Sequence, residues 1–140
     1  MKEEDRLKLI NYRLGRARET LKEALLMQRE GHWNACVNRL YYACFHAVAA
    51  LLATKGISSS NYRGVKSFFN RYWIITHKIS KEHGQLYDIL FRNRQESDYG
   101  DFVFFDRNTV ETWFPQAIDF IENIVQLIEE EVRIGSPEWN

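Results

Sequence analysis

From Leu7 onward the apolar residues fall at Leu7, Ile10, Leu14, Ala17, Leu21 and Ala24, a three-and-four spacing held to about Met27 with Arg, Lys and Glu between. This predicts a first helix. Glu30-Gly31-His32 interrupts it, glycine being the residue that most readily takes the left-handed conformation that closes a helix. From about Trp33 a second helix carries Val37, Leu40, Cys44, Val48 and Leu51 on one stripe and ends at Lys55-Gly56. So short a connection folds the two into an antiparallel hairpin. Ile57-Ser58-Ser59-Ser60-Asn61 supplies turn and capping chemistry, after which Val65, Phe68, Phe69, Tyr72 and Ile75 repeat at helical spacing. Ser80 can cap a fourth helix, with Leu86, Ile89 and Leu90 inward, running to about Ser97.

Asp98 to Asp106 breaks the pattern with too many aromatics for an idle linker, and reads as an ordered loop whose Phe side chains pack on the bundle or on a partner. Asn108-Thr109-Val110-Glu111 resembles a capping box and opens a fifth helix with Val110, Trp113, Ala117, Ile121, Ile124 and Ile128 inward. Pro115 in its second turn predicts a kink or a 3₁₀ start. The expected architecture is all-α: a five-helix up-and-down bundle forming one domain over residues 1–134, with a frayed tail at 135–140.

Composition narrows the function classes. The chain has 140 residues, 27% of them charged, and a formal net charge of zero, so the strongly basic signature of a dedicated nucleic-acid binder is absent. The charges are nevertheless uneven. Arg63, Lys66, Arg71, Lys78, Lys81, Arg92 and Arg94 crowd the third and fourth helices against Glu82, Asp88 and Glu96, which leaves room for a local basic patch. Cys36 and Cys44 are about 12 Å apart along one helix, too far for a disulfide, and read as buried thiols of a reducing compartment. The charged N-terminus and the lack of an uninterrupted apolar run of about 20 residues point to a soluble cytoplasmic protein with no membrane partner.

Two constellations carry potential chemistry. Arg39, Tyr42 and His46 share a stripe of the second helix, Arg39 and His46 lying within roughly 20° of each other, opposite its apolar stripe. That face looks at another helix, a second subunit or a ligand, buried hydrogen bonding being the plainer reading. At the end of the fourth helix come Arg94, Asp98 and Tyr99. Arg94 and Asp98 are four apart and can simply pair, for about 0.3–0.5 kcal/mol if exposed. In a groove, Arg94 would instead be a phosphate-binding fork, Asp98 its orienting carboxylate and Tyr99 a platform or donor. No glycine-rich phosphate loop, nucleophile elbow or zinc motif is present, and His32, His46, His77 and His83 lie on different elements, so neither a metal nor a cofactor is expected.

Arg39-Leu-Tyr-Tyr-Ala-Cys-Phe-His46, Tyr62-Arg-Gly-Val65 with Phe68, and Arg94-Gln-Glu-Ser-Asp98-Tyr99, in this order over nearly the whole chain, resemble the HEPN domain family of small prokaryotic helical proteins. The resemblance implies a helical bundle that usually dimerises, often acts with a minimal nucleotidyltransferase partner as a toxin and antitoxin pair, and in some families is a metal-independent ribonuclease. That ribonuclease branch carries a histidine four to six residues after an arginine near the end of the penultimate core helix. Here the corresponding stretch reads Asp98-Tyr99-Gly100. Without a histidine there, the site lacks the usual general acid or base. Three functions follow: a dimeric binding module that holds a nucleotide or RNA phosphate near Arg94, a ribonuclease toxin, or a structural dimer. The abundance of aromatics, more than one small core covers, predicts a homodimer.

Overall fold

The computed structural model describes residues 2–99 and 104–135, the stretches 95–99 and 133–135 by backbone alone. Five α-helices follow in order: α1 (Glu3–Arg29), α2 (Trp33–Thr54), α3 (Tyr62–Phe69), α4 (Lys81–Tyr99) and α5 (Arg107–Gly135). No strand occurs among the described residues.

α1 begins with Glu3, Glu4 and Asp5, negative charge where the helix dipole is positive. It closes on Gly31, whose φ of 74° lets the His32 amide donate to the Met27 carbonyl at 2.8 Å. The chain then doubles back, and the α1–α2 hairpin is the most extensive helix pairing of the fold. α2 is the central helix, packed also against α3, α4 and α5. It is long and apolar enough to cross a membrane, but 67% of that stretch is buried inside the bundle, where it forms the core. Ala43, Ala47, Ala50 and Ala53 of α2 and Ala17 and Ala24 of α1 are all buried, small side chains that let packed helices approach closely.

Helix α3 departs from the expected pattern. It runs into a π-helical turn, Asn70–Ile74, in which each turn takes up an extra residue. Trp73 therefore follows Phe69 into the core, while Tyr72 and Ile75, expected inward, are 37% and 70% exposed. The α4 start is as expected: the His83 amide donates to Ser80 Oγ at 3.1 Å. Gly84 lies where α4 crosses the π turn, and a Cβ there would come within 3.1 Å of two Ile74 side-chain atoms. Gly84→Leu is accordingly expected to destabilise the protein by about 1–3 kcal/mol through overpacking. Ile74→Ala in the same chain should recover part of that loss in a denaturant titration, and a purely additive pair would refute the contact.

The cap of α5 is corrected from Asn108 to Asp106, whose Oδ1 accepts from the Thr109 amide at 2.8 Å. That bond holds the Asp106 carboxyl below its usual range. Pro115 leaves α5 continuous, because it sits on the exposed face, where water can satisfy the Glu111 carbonyl that it leaves without a helical donor. Of the aromatic loop, Phe105 packs on Trp113 and donates its amide to Asn34 Oδ1 at 2.8 Å, while Phe104 is 83% exposed. Residues 100–103 of that loop, and 136–140 of the expected tail, lie outside the described residues; Gly135 itself closes α5.

Candidate functional site

An aromatic seam runs through the bundle and ends at Arg94. Trp73 stacks on Phe69, Phe69 meets Tyr87 edge-on at 5.3 Å, and Tyr87 packs at 5.8 Å on Tyr41 of α2, with Phe120 of α5 stacked on Tyr87. Such contacts add to the area burial of large rings. Tyr41 and Tyr87 are fully buried, their phenols interact with one another, and burial drives both well above the usual tyrosine range. They are structural groups rather than acids working near neutral pH.

At the outer end of this seam the Arg94 guanidinium lies 4.8 Å from the Tyr62 ring, 5.6 Å from Tyr41 and 5.9 Å from Phe91. Arg94 is only 9% exposed. Its guanidinium is a cation held among three rings, from α2, α3 and α4, an arrangement in which desolvation strengthens each cation–π contact. Tyr62 is positioned by the cap of its own helix, where Asn61 Oδ1 accepts from the Gly64 amide at 2.7 Å. Its ring also meets Phe45 at 4.8 Å and Tyr42 at 5.8 Å.

Tyr42 leads to the second constellation. Arg39 lies 5.1 Å over its ring, bonds Asn38 Oδ1 through Nε and Nη2, and pairs with Glu23 of α1 at 3.2 Å. His46 is half-buried one turn further on. Burial, followed by the charges of Arg16, Arg39 and Arg13, pushes its pKa down to about 4 against the opposing effect of Glu23. Arg13 reaches across to donate to the Ala49 carbonyl at 2.8 Å. The stripe read from the sequence therefore divides: Arg39 and His46 meet charged groups of α1, Tyr42 meets Tyr62 of α3, and the imidazole is neutral at pH 7.

Comparison with known proteins places this geometry. The HEPN domain model matches residues 10–131. The chain belongs to the HEPN domain family. It is 42% identical to a UPF0332 protein of Thermotoga maritima over 88% of this chain and 93% of that protein. Two Methanocaldococcus jannaschii proteins are also similar. "Putative toxin MJ0142" is 32% identical over 67% of this chain and 69% of its own length. "Putative toxin MJ0605" is 30% identical over 59% and 62%.

Within this HEPN domain the side chains of Asp98 and Tyr99 lie outside the described residues, although both positions are helical in α4. The basic patch expected on α3 and α4 is partly neutralised, since Asp88 takes Lys66 at 2.7 Å and Arg92 at 3.1 Å and is held below its usual pKa first by the Lys66 bond. Cys36 and Cys44 are buried and free, the Cys36 thiol pushed up to about 11 by burial. Among the described residues no three His, Cys, Asp or Glu side chains gather into a metal-holding group. Sequence reasoning missed Tyr41, Phe91, Arg13, Arg16 and Glu23. The only signal for them was helical phase, which says that a residue faces inward or sideways but not which partner it meets.

Proposed function

We propose that this HEPN protein is a toxin-related binding module that works as a homodimer with a nucleotidyltransferase partner and holds a nucleotide or RNA phosphate at the Arg94 end of α4. The observation that carries the reading is the caged guanidinium beside Tyr62, which is 37% exposed. A planar base can stack on such a ring while its phosphate meets the positive charge held beside that ring. The names of the two archaeal relatives support a toxin context, and the exposed Tyr12, Leu26, Ile75 and Phe104 supply apolar surface for subunit and partner contacts.

Calorimetric titration with UMP tests the site. Arg94→Ala should weaken binding by roughly ten- to hundredfold, the equivalent of about 1.5–3 kcal/mol for a charge-assisted contact, and Arg94→Lys should restore only part of it. Unchanged affinity in a folded Arg94→Ala protein would remove the site. Light scattering should give twice the chain mass, and a nucleotidyltransferase should co-purify from the native host. The toxin names favour a second reading, a metal-independent ribonuclease, for which growth arrest by the chain expressed alone, abolished by Arg94→Ala, would be the sign.

A further inference from the structure

Residues 31–81 contain no Asp or Glu. Of the cations in this stretch, Arg39, Lys55 and Lys66 are met by carboxylates of other helices, Glu23, Glu131 and Asp88. Arg71, Lys78 and Lys81 are exposed, and none of the three forms an ion pair among the described residues. They flank the chain reversal between α3 and α4, and Glu82 marks the edge of the acid-free stretch. Within the reversal Ile75 is 70% exposed and Tyr72 37%, the Tyr72 ring stacked on Phe68 at 6.2 Å with the Arg71 guanidinium 5.9 Å away. The backbone holds this turn: the Ile75 amide donates to the Asn70 carbonyl at 2.9 Å, the His77 amide to Ile74 at 3.0 Å and the Ile79 amide to Trp73 at 2.9 Å, with His77 at a left-handed φ of 61°. Ile79, 2% exposed, anchors it in the core, so Ile75 projects from a fixed support.

We propose that the α3–α4 reversal docks this protein on a membrane surface rich in anionic phospholipid, Ile75 and Tyr72 entering the interface and Arg71, Lys78 and Lys81 meeting the headgroup phosphates. A projecting aliphatic side chain flanked by unpaired cations fits such a boundary, where the apolar tip lies below the headgroups and the long basic side chains reach their phosphates. A polynucleotide would meet the cations but offers the isoleucine no apolar medium. The other exposed apolar residues lack this setting: Tyr12 and Leu26 lie on α1 among interspersed acids and bases, and Phe104 is two residues from Asp106. The contact is peripheral, since α2, which has the length to span a bilayer, is buried in the bundle. The inference goes beyond the proposed function and does not depend on the Arg94 site.

The test is co-sedimentation of the full chain with sucrose-loaded vesicles, either phosphatidylcholine alone or phosphatidylcholine with about one-third phosphatidylglycerol. The protein should bind the mixed vesicles and not the neutral ones, and the bound fraction should fall as salt is raised. Ile75→Ser should weaken partitioning roughly tenfold while keeping the salt dependence, and Ile75→Leu should bind as the wild type does. Lys78→Gln with Lys81→Gln should weaken it about fivefold for each lysine and flatten the salt dependence. Tyr12→Ser, at a 66% exposed position of another helix, should leave vesicle binding unchanged. A wild-type protein that stays in solution with the mixed vesicles overturns the proposal, as does one that binds the neutral vesicles equally. Loss of binding in the lysine variant with none in Ile75→Ser overturns it as well, leaving an electrostatic surface of the kind that a polynucleotide or an acidic protein uses. A drop in Tyr12→Ser as large as in Ile75→Ser would mean unspecific apolar adsorption and overturn it too.

Discussion

Replacing Arg94 by alanine is expected to lower the melting temperature by on the order of 10 °C, in addition to its effect on binding. The guanidinium touches three rings from three helices and is 9% exposed, so its removal takes away cation–π contacts worth about 0.5–2 kcal/mol each. It also leaves a gap beneath Tyr62 that the surrounding side chains fill only in part. These losses do not add fully, and about 2–4 kcal/mol in total is a reasonable scale, each kilocalorie being several degrees in a chain of this size. Arg94→Lys should recover less than half, because an ammonium cannot lie flat against a ring as a guanidinium does. Differential scanning calorimetry decides the matter: a melting temperature within two or three degrees of wild type would mean that the rings hold each other without the cation. Because binding and stability both centre on Arg94, its affinity change has to be measured well below the melting point of the variant.

Acidification is expected to destabilise the protein between pH 6.5 and 4, and His46 is the group responsible for a separable part of it. Its folded pKa lies at about 4 and its ordinary value is 6.5, so over this window the unfolded chain binds a proton that the folded chain refuses. The stabilisation is complete above pH 6.5, falls as the pH drops toward 4, and falls no further below that. The full shift would correspond to about 3 kcal/mol, which the half-buried position of the ring and solvent screening reduce to roughly 1–2 kcal/mol. The groups facing the imidazole are Arg13, Arg16 and Arg39, which oppose its protonation, and Glu23, which favours it. The unfolded chain also takes up protons on carboxylates such as Asp88, whose pKa the folded protein holds below its ordinary value, so the useful quantity is a difference between proteins. Urea titrations of wild type and His46→Gln at pH 7 and pH 4.5 should show the variant losing less stability on acidification. Equal losses would mean that His46 titrates like a surface histidine.

Both predictions concern residues whose helical phase was legible and whose surroundings were not. The periodicity of Leu7 to Ala24, the glycine at position 31 and the capping oxygens of Asn61 and Ser80 marked α1, the hairpin turn, and the starts of α3 and α4. These features depend on neighbours within about one helical turn, and a sequence displays such neighbours directly. The HEPN resemblance was legible for a related reason: its motifs keep their order and spacing along the chain.

The rest was settled by contacts between distant residues. A π turn at Asn70–Ile74 carries Trp73 inward to stack on Phe69 in place of Tyr72, burial of the larger ring outweighing the regular helical count. Asp106 caps α5 although Asn108 stands in the better local pattern. Arg94 is enclosed by Tyr41, Tyr62 and Phe91, and His46 is kept neutral by burial and then by arginines up to 33 positions away. By itself, the sequence determined which segments are helices, where they turn, and which residues bear charge. Only the tertiary structure decided which of those charges are buried and what they face, because the cost of burying a cation depends on the groups that replace its water, and those groups come from other helices.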